Sequence, residues 1–145
     1  MVDLIELCNS STTAPETTKA AVAQHICVST NGYLEVYIRS SVKDIFRPRC
    51  DQNALRVISR TLDGYYNFKS EKVCKLFSDI WPEKTEQLRV YFKTNDQFSD
   101  AIGSIVGNKN TIAHRGSSSV TIARVQPWLE TIINHLDEFD QTCFG

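Results

Sequence analysis

The sequence predicts an all-α domain, an antiparallel bundle of roughly five or six helices. Apolar residues recur every three or four positions along most of the chain, which marks one face of a helix. No stretch alternates apolar and polar for long, as a half-buried strand would. The composition is that of a folded domain, 41% hydrophobic against 23% charged, with only 6 Gly and 4 Pro among 145 residues. A chain of that length forms one domain with a real core. The expected organisation is an N-terminal arm over residues 1–12 and a single helical domain over residues 13–145.

The arm carries a short apolar patch, Leu4-Ile5-Leu7, and then a Ser-Ser-Thr-Thr stretch. It is expected to be frayed or to form one helical turn. Thr13-Ala14-Pro15-Glu16 fits a capping box, with Pro in the first turn, where its missing N–H costs nothing. Val22, Ile26, Tyr33, Leu34, Tyr37, Ile38, Val42 and Ile45 then hold one stripe to about Phe46, a helix of about thirty residues. Asn31-Gly32 reads as a turn in isolation. The stripe keeps phase across that pair, which favours one long helix with a weak point. Arg47-Pro48-Arg49 ends it.

Asp51 is a good N-cap for a helix carrying Leu55, Ile58 and Leu62, with Gly64 as its stop. Asn67 or Ser70 can cap the next, which buries Val73, Leu76, Phe77 and Ile80 before Trp81-Pro82 breaks it. A helix with Leu88, Tyr91 and Phe92 follows. Thr94-Asn95-Asp96-Gln97 is a second capping box, opening the stripe Phe98, Ala101, Ile102, Ile105, Val106, Ile112 and Ala113. Gly116 and a Ser run stop that helix. Thr121 can cap the last one, whose stripe includes Val125, Leu129, Ile132, Leu136 and Phe139. Pro127 leaves either an irregular first turn or a regular helix that begins there. The first and last helices are expected to be the longest, with the helix ending near His114 packed between them.

Net charge is −1, so no overall basic field captures nucleic acid, and any such binding must come from a local patch. The 5 cysteines are far apart and none has CxxC spacing. Neither a zinc site nor a disulfide framework is indicated, and no metal or cofactor is expected. The thiols read as reduced, as in a cytoplasmic protein. Asp3 and Glu6 stand where a signal peptide would carry positive charge, and no stretch approaches the roughly 20 apolar residues of a membrane span.

The chemistry-bearing stretch is Asn108-Lys109-Asn110-Thr111-Ile112-Ala113-His114, at the end of a core-facing helix. At about 100° per residue, Asn110 and His114 share a face, while Lys109 points roughly 140° from His114. In a regular helix Lys109 and His114 diverge. They converge only if the helix distorts there or a second chain completes the site.

Ile105-Val106 followed by Lys109-Asn110-Thr111-Ile112-Ala113-His114 resembles the motif of HEPN domains: Arg, a polar residue that is often Asn, three residues, then His. The surroundings agree. Asn67, Val73, Leu76-Phe77, Phe92, Phe98 and Ile102, with Val120-Thr121, Val125 and Leu129 beyond the motif, are similar to the RiboL-PSP branch of that superfamily. The resemblance covers roughly residues 20–140. It implies an all-α bundle that pairs as a homodimer and cleaves RNA without metal, as in toxin–antitoxin and defence systems, where an antitoxin or other protein partner is common. It also implies that the motif Arg and His act together in a cleft between two subunits. Carried over by position, His114 matches the catalytic His and Asn110 the polar residue. Lys109 stands where the family has Arg, and Arg115 separates His114 from Gly116, where the family usually has Gly directly.

RNA cleavage without metal needs the 2′-hydroxyl deprotonated and the charge on the phosphorane stabilised. A His that titrates near neutrality serves as base or acid, worth about 10²- to 10⁴-fold. A neighbouring cation supplies the electrostatic part. Lys109 brings charge but no bidentate fork, so it is not equivalent to Arg. The expected catalytic set is therefore His114, Lys109 and Asn110, with Asn108 and Arg115 as RNA contacts. Two other readings stand beside it. One is a catalytically inactive HEPN module that binds RNA or a protein partner, which the Lys at 109 favours. The other is a plain helical scaffold in which His114 is only a C-terminal cation favoured by the helix dipole. His25 and His135 read as ordinary partly exposed residues. Arg47, Arg49, Lys69, Lys72 and Lys75 read as solvated charge, and Tyr65-Tyr66 as packing at a helix end, before phosphate tracking or base stacking.

Overall fold

The computed structural model describes all of residues 1–145 and is entirely helical. It has seven helices: α1 (Val2–Ser10), α2 (Glu16–Phe46), α3 (Gln52–Asp63), α4 (Ser70–Ile80), α5 (Pro82–Thr94), α6 (Asp96–Arg115) and α7 (Ile122–Phe144). Six are the expected ones. The seventh is α1, which replaces the frayed arm or single turn expected there. Its Leu4, Ile5 and Leu7 pack against the core and Cys8 is fully buried, so tertiary burial stabilises a segment with few local helix signals.

The stops fall where the breakers are. Asp51 caps α3 by accepting the Ala54 N–H at 2.8 Å. Pro82 opens α5, where it needs no donor. Gly116 closes α6 with φ 78°, the left-handed conformation that glycine adopts without strain, and its N–H returns to the Ile112 carbonyl at 2.8 Å. The two capping boxes do not form. Pro15 itself is the N-cap of α2, and Thr94 still belongs to α5. Asn95 bends back to the Tyr91 carbonyl at 3.1 Å, tying the short joint between α5 and α6. Asn67 and Ser70 do not cap α4 either, since Lys69 holds that position. Helix α2 runs unbroken through Asn31-Gly32. Helix α7 starts at Ile122 with Thr121 at its N-cap position as expected, though without a side-chain capping bond, and it carries Pro127 within it, so neither alternative for Pro127 holds. The bond Pro127 cannot donate would go to Ala123, and both residues lie on the exposed face of the helix, where a missing bond costs least.

Helices α2 and α7, 31 and 23 residues long, are the longest and pack with α6 into the centre of the bundle. Phe98 near the start of α6 meets Phe139 near the end of α7, ring centroids 5.4 Å apart, so these two run antiparallel. Tyr37 of α2 donates to Asp140 of α7, while Lys19 and Ala20 lie beside Val120 and Ile122, so α2 and α7 run the same way. Phe92, Phe98 and Phe139 stack into one cluster with His135 flat against Phe98 at 5.4 Å. Each such buried ring contributes about 1.5–3 kcal/mol. All five cysteines are free, and burial pushes the Cys27 thiol up to about 11 and that of Cys143 higher still. No helix is long and apolar enough to cross a membrane.

Candidate functional site

The stripe of Phe98, Ala101, Ile102, Ile105 and Val106 is buried and holds α6 rigidly in the bundle. Beyond Val106 the helix emerges. Residues 107–112 are half-buried and residues 113–116 exposed. Helix α6 stays regular to Arg115, with no distortion that would turn Lys109 toward His114. The two therefore diverge within one chain.

Each residue of the expected set has a distinct environment. Lys109 Nζ donates to Asn67 Oδ1 at 3.0 Å. Asn108 Nδ2 donates to the Ser104 carbonyl at 2.9 Å, so its amide protons are turned into its own helix. Asn110 is half-exposed, and His114 and Arg115 are exposed; none of the three makes a side-chain hydrogen bond within the chain. The structure thus joins Lys109 to the α3–α4 turn and leaves Asn110, His114 and Arg115 facing outward. None of the three surface grooves is lined by residues 108–115. No group of three or more His, Cys, Asp or Glu side chains gathers anywhere in the chain.

The partner of Lys109 was not legible in the sequence. Asn67 sits at φ 56°, the only residue besides Gly116 with positive φ. Asn tolerates that region better than most residues, at a cost of order 1 kcal/mol. Glu35 of α2 offsets it by accepting the Asn67 N–H at 2.8 Å. The same Glu35 oxygen accepts from Asn31 Nδ2 at 3.1 Å, and Asn31 is buried. A polar chain results, Asn31–Glu35–Asn67–Lys109, crossing from α2 through the turn to α6. Its one detectable sequence signal is Asn31, a polar residue in phase with the buried stripe of Cys27, Leu34 and Ile38.

Charge is distributed unevenly along that chain. Glu35 is held by two neutral donors, and Lys109 by one neutral acceptor. Lys109 takes part in none of the four ion pairs of the protein. It is a half-buried ammonium fixed in place but not neutralised, with two of its three donors uncommitted. Such a group is available to an incoming anion.

Against protein-family models, curated proteins and solved structures alike, the chain finds no match.

Proposed function

We propose that this protein is a HEPN-type, metal-independent endoribonuclease that acts as a homodimer on RNA. Lys109 and His114 of two copies would meet across a twofold axis at the exposed end of α6. The reading rests on one observation above all: Lys109 is held by the neutral Asn67 and by no carboxylate. An ammonium without a carboxylate partner, on a helix whose unpaired His114 lies five residues further on, supplies the two parts that phosphodiester cleavage requires. One protomer cannot bring them together, because α6 is regular; an isologous contact supplies the second copy of each.

In that reaction His114 takes the 2′-hydroxyl proton as O2′ bonds to phosphorus. The P–O5′ bond breaks, and the leaving oxygen gains a proton from an imidazolium. Lys109 stabilises the added negative charge on the phosphoryl oxygens, and Asn110, beside His114 on the same face, orients the ribose. The products are a 2′,3′-cyclic phosphate and a 5′-hydroxyl. Incubation with RNA in EDTA tests this directly. Wild type should leave cyclic ends and His114→Ala should not, while light scattering should give a dimer mass. The engagement of Lys109 within its own protomer favours a second reading, an inactive HEPN module that binds RNA or a protein partner. Binding without cleavage in the same assay selects it.

A further inference from the structure

The α3–α4 turn, Gly64 to Lys69, is gripped from several sides. Arg39 donates to the Tyr65 carbonyl, Lys72 to the Tyr66 carbonyl at 3.0 Å, and Lys109 to the Asn67 side chain at 3.0 Å. Glu35, which accepts the Asn67 N–H, is the only carboxylate bonded to the backbone of the turn. The two tyrosines within it differ. Tyr65 stacks on Phe68 with centroids 6.5 Å apart and donates to Asp79; burial, then Asp79, push its hydroxyl up to about 12. Tyr65 is a packing residue. Tyr66 has no such role: it is 55% exposed and its hydroxyl makes no hydrogen bond within the chain. The Lys72 ammonium lies over its ring, 4.2 Å from the centroid.

An exposed aromatic ring is therefore held on a rigid turn, flanked by Lys72 on one side and by Lys109 at the next residue. Neither lysine is in an ion pair, and neither is Lys69, which closes the turn. Lys75, one helical turn further on, differs in being paired with Asp79 at 3.6 Å. Three cations without a carboxylate partner, Lys69, Lys72 and Lys109, thus border the turn that carries Tyr66. We infer that this turn binds single-stranded RNA, with one base stacked on Tyr66 and the flanking phosphates on Lys72 and Lys109. The chemistry fits this ligand in two ways. A π-face accepts any unstacked base, and ammonium groups at the ring and at the adjoining Asn67 match a backbone with one charge per nucleotide. Duplex RNA offers no free base to the ring. The inference rests on the proposed reading for the identity of the nucleic acid, but the site is defined by Tyr66 and the lysines, not by His114.

The test is fluorescence anisotropy of a short fluorescein-labelled oligouridylate in EDTA, with cleavage of the same probe followed in parallel. Tyr66→Ala should weaken binding about tenfold or more, and Tyr66→Phe should restore it, because the ring and not the hydroxyl carries the contact. Lys72→Gln should lower the slope of log affinity against log salt by about 0.7, the value for one phosphate on a single strand. Thermal midpoints of the Tyr66 variants should match wild type, since Tyr66 is exposed and its hydroxyl is unbonded, and that of Lys72→Gln should fall only slightly, since it gives up one solvent-accessible hydrogen bond to the Tyr66 carbonyl. Binding unchanged in Tyr66→Ala and Lys72→Gln overturns the site, as does absent binding by wild type or a preference for duplex RNA. Cleavage decides the other question separately. If Tyr66→Ala loses binding while wild type never cleaves, the site stands and the nuclease reading falls. If His114→Ala loses cleavage while Tyr66→Ala binds normally, the reverse holds.

Discussion

Lys109 and His114 stand on the same helix with opposite surroundings. Lys109 is tied across the bundle to Asn67, which Glu35 braces from α2, so three elements fix one ammonium. His114 is placed by α6 alone, is exposed, and has no side-chain partner. On the proposed reading, the difference suits two distinct roles. A cation that must stay charged near a phosphate benefits from a neutral, rigid mount, because a carboxylate partner would cancel it. A residue that must move protons needs access, and its positioning can be left to substrate or to a second copy. The two ends of the motif should therefore respond differently to mutation.

The largest expected effect is on chemistry at the free end. His114→Ala should lower RNA cleavage by about 10²-fold or more. Its unfolding free energy should stay within about 0.5 kcal/mol of wild type, because no buried contact is removed. A stability loss as large as the activity loss would erase the contrast.

The mounted end should show the opposite pattern. Glu35→Ala orphans the buried Asn31 amide and the Asn67 N–H together, and should cost about 1–3 kcal/mol in chemical denaturation. Glu35→Gln retains an acceptor oxygen and should recover part of that loss. If Glu35→Ala denatures like wild type, the polar chain does not hold the turn.

Asn67→Asp probes the neutrality of the mount. Aspartate tolerates the same positive φ and has the same shape, but it pairs with Lys109 and cancels its charge. Cleavage and oligonucleotide affinity should fall about tenfold, a loss of about 1.4 kcal/mol, with stability unchanged or slightly higher. Activity equal to wild type would show that Lys109 acts only as a structural tether.

The smallest effect is expected from Lys109→Arg. The resemblance makes Arg the better residue, and a guanidinium can bond Asn67 while offering a second donor pair to phosphate. Activity should hold or rise by a few-fold in steady-state assays. A large fall would mean that the Asn67 mount is shaped for an ammonium alone.

Much of the fold was written in local sequence. Stripes at helical spacing, Asp51 as a cap, and Pro82, Gly64 and Gly116 as punctuation place six helices, because each signal acts within one or two turns. The positions of Lys109, Asn110 and His114 near the end of α6 were legible for the same reason, and so was the divergence of Lys109 from His114 on a regular helix. Tertiary structure decided the rest. Helix α1 forms because Cys8 and its neighbours find a core to cover, which no local pattern announces. The capping boxes at Thr13 and Thr94 fail because the flanking helices begin or continue elsewhere. Asn67 takes a left-handed turn whose N–H is accepted by Glu35, 32 residues away in sequence. The mount of Lys109 and the exposure of Tyr66 depend on that turn. Both arise from hydrogen bonds between residues distant in sequence, whose geometry exists only once α2, α4 and α6 have packed.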